Sequence, residues 1–207
     1  LFASIKNKRR ILIRKSLKSN FHIKFNNNSL KDFYKIYLNS MNRLGTPPHS
    51  EIFFERLKYY WKQDFYIFLT YHNNKVIGGI MGIKFKKKFI NLFAAVDSKY
   101  NSLGTNDFMY WSTVKYLFEN SFISFDFGRS QRNSSTHIFK KEWATSENSL
   151  IYHNYSFDIH SNQMKFKKFN TSKLYRGKIG SLLIYFWKRM PNSLKTLIGI
   201  RIRKYIP

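Results

Sequence analysis

The feature that most narrows the possible folds is a short hydrophobic strand that stops abruptly. Ser124–Phe127 runs into Gly128-Arg129-Ser130, a polar loop follows, and a short helix then carries Phe139-Lys140-Lys141-Glu142-Trp143. A strand that passes to a helix in this way belongs to an open sheet flanked by helices, where ligands collect at the carboxyl ends of strands. Asp126 lies mid-strand, on the opposite face from Phe125 and Phe127 if the pleat is regular. A carboxylate there is either paired with a cation or raised in pKa. Asp126 is therefore either a structural ion pair, with Arg129 or Arg132, or a base. Arg129 is placed either to grip a phosphate or carboxylate bidentately or to anchor the loop.

Periodicity supplies the rest of the architecture. A basic helix spans residues 5–18, and Phe21–Phe25 alternates as a strand. Ser29 is a candidate N-cap for a helix in which Leu30, Phe33, Tyr34, Tyr37, Leu38 and Met41 recur at helical spacing. The Gly45–His49 loop interrupts it, and Ser50 with Glu51 opens a helix to Trp61. Phe65–Tyr71 and Val76–Phe85 form a hairpin, with Phe89–Val96 as a third strand. Gly78, Gly79 and Gly82 inside the second strand imply a bulge or a close approach of backbone to a neighbour. Asp97–Gly104 is a loop, and Thr105 is the expected N-cap of a helix to Asn120. The strand Ile123–Phe127, a helix over 136–143 and the strand Leu150–Phe157 follow. This order makes the fold α+β, with a mixed sheet of mostly antiparallel strands.

After Ile159 the pattern changes. Residues 161–178 read as a basic linker, and residues 179–207 as an amphipathic helical segment, docked on the core or lying on an anionic membrane surface. No apolar run approaches the ~18 residues needed to span a bilayer. The chain contains no cysteine, which excludes disulfides, thiolate metal sites and cysteine nucleophiles, and suits a reducing compartment. Its 37 basic and 11 acidic residues give a net charge of +26. Such a field favours polyanions, although a Lys-, Asn-, Ile- and Phe-rich composition also arises from AT-rich coding.

Together, Phe125–Ser130, Phe139–Trp143 and the upstream Arg43-Leu44-Gly45-Thr46-Pro47-Pro48-His49-Ser50 resemble the FemAB-like branch of the GNAT acyltransferase superfamily. The resemblance implies a GNAT-like sheet that splays to hold an acyl donor. It also implies direct transfer of an acyl or aminoacyl group to an amine of a peptidoglycan or exopolysaccharide precursor. Lys140 matches the lysine of the family's Phe-Lys pair, which stabilises developing negative charge; Lys141 is its alternative. Arg43, Thr46, His49 and Ser50 would line the acceptor side, and Arg129 and Ser130 would contact substrate. Tyr110 is a candidate general acid, or else a core residue with its hydroxyl tied.

Asn101–Asn106 holds a single glycine where an acyl-CoA cradle would lie, so aminoacyl-tRNA is the expected donor, with no permanently bound cofactor and no metal. Expected partners are tRNA, a lipid- or nucleotide-linked envelope precursor, an anionic membrane, and a GNAT-like domain N-terminal to this chain. Residues 1–28 would connect to that domain, residues 29–160 would be the acyltransferase domain, and the setting would be cytoplasmic, peripheral to the inner membrane face. Ala144 follows Trp143 where the family usually has glycine. Two competing readings are a non-catalytic basic module that binds RNA or membrane, and a truncated, inactive remnant.

Overall fold

Alternation of apolar side chains along Phe65–His72 (β2) and Lys75–Phe85 (β3) sends Phe68 and Ile80 to one face of a sheet and Ile67, Leu69, Met81 and Ile83 to the other. Both faces are covered, which is why these strands are buried almost throughout. The structure is a computed structural model that describes residues 1–151, 155–158, 163–166, 185–187 and 189–203. Phe21–Phe25 (β1), β2, β3, Lys88–Val96 (β4) and Ser124–Asp126 (β5) form one sheet in the spatial order β1-β2-β3-β4-β5. The first four strands are antiparallel, and β5 alone runs parallel to its neighbour.

Leu30–Leu44 (α2) and Glu51–Trp61 (α3) cover one face around Phe33, Tyr37, Phe54 and Phe93. The other face carries Asn7–Ser16 (α1), Thr105–Glu119 (α4) and Ser135–Lys141 (α5), with Ile13, Met109, Tyr110, Leu117 and Trp143 in its core. Beyond the sheet, Tyr155–Asp158 (β6) pairs antiparallel with Gln163–Phe166 (β7), and Asn192–Arg203 (α6) is helical. Among the described residues no helix is long and apolar enough to cross a membrane.

The glycines of β3 answer the sequence expectation. A Cβ on Gly79 would lie 2.9 Å from the ring of Phe33, so its absence lets α2 lie close on the sheet. Gly82 has no room for a Cβ against the Phe89 ring and the Ile90 carbonyl. The register against β4 slips there: Met81 pairs with Phe93 and Gly82 with Asn91, which leaves Leu92 as the bulged residue. Leu92 and Phe93 consequently both join the α2 side, while Asn91 stays on the α4 side.

Several expectations are corrected. Phe21–Phe25 is an edge strand of the main sheet, paired with β2 along its whole length. Gly104, in the left-handed conformation, caps α4 in place of Thr105, whose hydroxyl instead donates to the Tyr100 carbonyl at 2.7 Å. Ser29 makes no side-chain cap bond, whereas the Ser50 hydroxyl accepts from the Phe53 amide. β5 is only three residues long because the chain leaves the ladder after Asp126. Leu150 and Ile151 are exposed and outside any strand; the strand expected there begins at Tyr155. The expected linker over 161–178 contains β7, and most of the helix expected over 179–190 lies outside the described residues.

Candidate active site

β4 and β5 stay paired for only three steps, Lys88 with Ser124, Phe89 with Phe125 and Ile90 with Asp126. β4 then continues to Val96 while the β5 chain turns away at Gly128, whose φ is +70°. The backbones are still close at that point, since a Cβ on Gly128 would sit 2.9 Å from the Asn91 carbonyl oxygen. Any other residue would be strained by its φ and would press on β4. Residues 91–96 thus present a backbone edge that no β5 residue pairs with.

Lys140 sits at the point of divergence. Its Nζ donates to the Arg129 carbonyl at 2.9 Å and to the Gly128 carbonyl at 3.2 Å. Burial pushes its pKa below the usual lysine range, and the charge of Asp126 opposes that shift. Asp126 is exposed, and its Oδ1 accepts from the Gly128 amide at 2.8 Å. Its carboxylate therefore shapes the turn and faces Lys140. Arg129 and Ser130 lie on the same loop, with Arg129 exposed and the Ser130 hydroxyl buried without a hydrogen-bond partner among the described residues. Lys141 points elsewhere, towards Glu147 at 3.8 Å.

Tyr110 is packed under this loop among Phe125, Phe127, Phe139 and Trp143. Its hydroxyl accepts from the Asn91 side-chain amide at 3.4 Å, and burial pushes its pKa up to about 12. A hydroxyl so placed is a poor proton donor near neutrality. Asn91 was missed in the sequence. A lone asparagine in an apolar strand is a weak signal, yet it is buried, it meets Tyr110, and its Oδ1 has no partner among the described residues.

The Arg43–Ser50 loop meets β4 from the other face, where His49 stacks on Phe53 at 4.3 Å and touches Phe93 edge-on. The His49 amide donates to the Tyr37 hydroxyl, and its carbonyl accepts from Tyr34. Arg203 of α6 donates to His49 Nε2 at 3.1 Å. Burial, reinforced by the Arg203 charge, lowers the His49 pKa to about 4, so the ring is neutral. Thr46 bonds through its amide to the Met41 carbonyl, Ser50 caps α3, and Arg43 is exposed on the last turn of α2. The two predicted clusters are not in one pocket; they flank the same stretch of β4 from opposite faces.

Arg9, which the sequence reading did not single out, joins the loop's supports. It pairs with buried Asp107 at 2.7 Å, binds Glu142 through Nε at 2.6 Å, and lies 4.7 Å above the Phe139 ring. A basic residue in a basic helix carries no sequence signal that separates it from its neighbours. α1 also closes the amino end of α4, where Gly104 packs on Ser16 and the Ser19 hydroxyl donates to the Leu103 carbonyl.

Comparison with known proteins agrees with this geometry. The family described as acetyltransferase (GNAT) domain matches residues 3–141. Among solved structures, FemX superposes with a TM-score of 0.61 at 13% identity, over 69% of this chain and 54% of FemX. An aminoglycoside acetyltransferase from an uncultured soil metagenomic sample, in complex with sisomicin, gives a TM-score of 0.51 at 14% identity, over 69% of this chain and 99% of that one. A ribosomal-protein-alanine N-acetyltransferase from Brucella melitensis biovar Abortus 2308 gives 0.51 at 8% identity, over 66% and 99%. This chain therefore spans about half the length of FemX. No curated protein matches it in sequence. With the match extending over more than half of its length, the chain belongs to the GNAT acetyltransferase domain family.

Proposed function

We propose that the chain is an N-acyltransferase domain of FemAB type. It would move an acyl or aminoacyl group from aminoacyl-tRNA, in preference to acyl-CoA, onto an amine of a cell-envelope precursor. The observation that carries this reading is the parting of β4 and β5 after Ile90 and Asp126, with the Lys140 ammonium held where the strands separate. The acceptor nitrogen attacks the ester carbonyl and forms the new C–N bond. The C–O bond to the terminal ribose breaks, the ribose oxygen takes up a proton, and the amine gives one up. No covalent enzyme intermediate is needed.

Two of the three Lys140 N–H donors go to loop carbonyls, which fixes the ammonium rigidly. The third is left for the oxyanion, where a preorganised donor contributes most. The preference against CoA rests on the amino end of α4. A pyrophosphate cradle needs free amides at a helix start. Here α1 packs over that turn, and Asp107 already supplies negative charge in it.

The test offers aminoacyl-tRNA and acetyl-CoA separately, with a nucleotide-linked peptidoglycan precursor bearing a free amine as acceptor. Transfer is expected from tRNA, and Lys140→Met should slow it by about 10²–10³ while leaving the far-ultraviolet circular dichroism unchanged. Transfer from acetyl-CoA alone would overturn the donor assignment. Undiminished transfer by Lys140→Met would remove that lysine from the chemistry.

A further inference from the structure

The end of the sheet away from the crevice, as we call the parting of β4 and β5, carries a second, unrelated arrangement. β3 and β4 are joined by a two-residue turn, Lys86-Lys87, with Phe85 paired to Lys88 across it. The neighbouring β2–β3 turn uses Asn73-Asn74, both at positive φ, as such a turn favours. The β3–β4 turn instead holds a lysine, Lys86, at φ +57°, where an L side chain is disfavoured. A strained backbone position kept by a residue of no conformational advantage is a reason to look for function.

The side chains around this turn are mutually consistent. Ile123 donates its amide to the Lys87 carbonyl at 2.8 Å, which fixes the α4–β5 connection against the turn. Its side chain is 79% exposed, Phe85 is 55% exposed, and Phe118 on the last turn of α4 is 61% exposed. Lys84, Lys86, Lys87 and Lys88 alternate with them; Lys84 lies over the Phe122 ring and Lys86 over Phe85. Among the described residues, the carboxylates at this end are Glu119, 3.8 Å from Lys115, and Asp64 before β2. Large apolar side chains held in water beside lysines cost free energy as they stand, and an apolar phase with an anionic rim would relieve it.

We infer that this end of the sheet, built from Phe85, Phe118, Ile123 and the lysines at 84 and 86–88, docks on an anionic lipid surface. The apolar tips enter the headgroup boundary and the ammonium groups meet lipid phosphates. The rings of Phe85 and Phe118 suit either partner, but Ile123, which cannot stack on a base, and an all-lysine cation set favour lipid over nucleic acid, which is gripped by stacking rings and guanidinium forks. The expected C-terminal membrane segment is not needed for this contact. Along β4, Asn91 lies four residues from Lys87, so the crevice would sit roughly 13 Å above the surface. That is within reach of a lipid-linked substrate without burying the crevice mouth.

The chain has no cysteine, so a single one introduced at an exposed position can be labelled uniquely. The full chain carrying Ile123→Cys, and separately Phe85→Cys, is labelled with an environment-sensitive dye. Each is mixed with vesicles of phosphatidylcholine alone or of phosphatidylcholine with phosphatidylglycerol. Tyr59→Cys, 71% exposed and beside Asp32, Glu51 and Glu55, serves as comparator.

Blue-shifted, brighter emission at positions 123 and 85 with the anionic vesicles only, and none at 59, is expected. In flotation, replacing Lys86, Lys87 and Lys88 by Gln should weaken vesicle binding roughly a hundredfold, about fivefold per lysine. An aqueous signal at both tip positions in the presence of bound vesicles would overturn the inference. So would vesicle binding indifferent to the triple change, or a tip response to a mixed-sequence RNA with none to vesicles.

Discussion

Replacing Arg9 by Leu should destabilise the chain more than any other single charge removal among the described ion pairs. The Arg9 and Asp107 side chains are only 11% and 9% exposed, and their atoms approach to 2.7 Å. Burial already raises the Asp107 pKa despite the hydrogen bond and charge of Arg9, so its ionised form depends on that guanidinium. Glu142 behaves oppositely: burial would raise its pKa, but hydrogen bonds from Lys8 and Arg9 together lower it. Asp107 is the deeper of the two, so its desolvation governs. Breaking a buried pair from one side costs about 3–5 kcal/mol. For a chain of this size that is a fall in Tm on the order of 10 °C.

The assay is urea unfolding of the wild type, Arg9→Leu, Asp107→Leu and the double variant, at neutral and mildly acidic pH. Asp107 has a raised folded pKa, so its contribution is most favourable at low pH and declines as pH rises above its unfolded value. Without Arg9 that decline should steepen, and Arg9→Leu should lose less stability in acid than at neutrality. The double variant should recover part of the loss, because no buried carboxylate is then stranded. An Arg9→Leu variant that unfolds within about 1 kcal/mol of wild type at neutral pH, with no gain from Asp107→Leu, would refute the reasoning.

The Lys140 pKa is depressed by burial, so if its ammonium is the working form, transfer should decline on the alkaline side below the ordinary lysine range; Lys140→Arg should move that limb up in a kcat/KM profile. Gly82→Ala should cost about 1–3 kcal/mol or more in urea unfolding, because its Cβ would collide with the Phe89 ring and the Ile90 carbonyl at the bulge. The imidazole of His49 should titrate by NMR at about 4, and Arg203→Gln should raise that value only modestly, since burial is the larger cause. With its folded pKa depressed, neutral His49 contributes stability that is complete above its unfolded value and is lost as pH falls towards 4.

Most of the sheet was legible because its signals are local. Alternation located β1 to β4 to within a residue or so, and three glycines in one strand marked the bulge. What local pattern could not show was pairing. Phe21–Phe25 reads as a strand, but only its ladder with β2 shows which strand it joins. The length of β5 was equally hidden, since Phe127 is as apolar as Phe125 but lies past the last pair with β4. β7 was read as linker because polar, basic residues mask a strand that pairs only with its neighbour β6.

The site divides the same way. Family motifs pointed to Lys140, Asp126, Arg129 and Ser130 around one loop, but they do not say what each side chain does there. Asp126, read in the sequence as a paired or pKa-shifted carboxylate, is exposed on the last strand of the sheet, where it accepts from the Gly128 amide. The structure does show what the Lys140 ammonium binds. Its ammonium holds the carbonyls of Gly128 and Arg129, and Gly128 is the residue whose conformation carries the chain away from β4. Holding the crevice open and presenting a cation to it are thus one arrangement. Deleting the lysine removes the charge and frees the loop together, whereas an arginine keeps the charge while changing the hydrogen-bond geometry. The contrast between Lys140→Met and Lys140→Arg therefore separates charge from loop position, which neither substitution achieves alone.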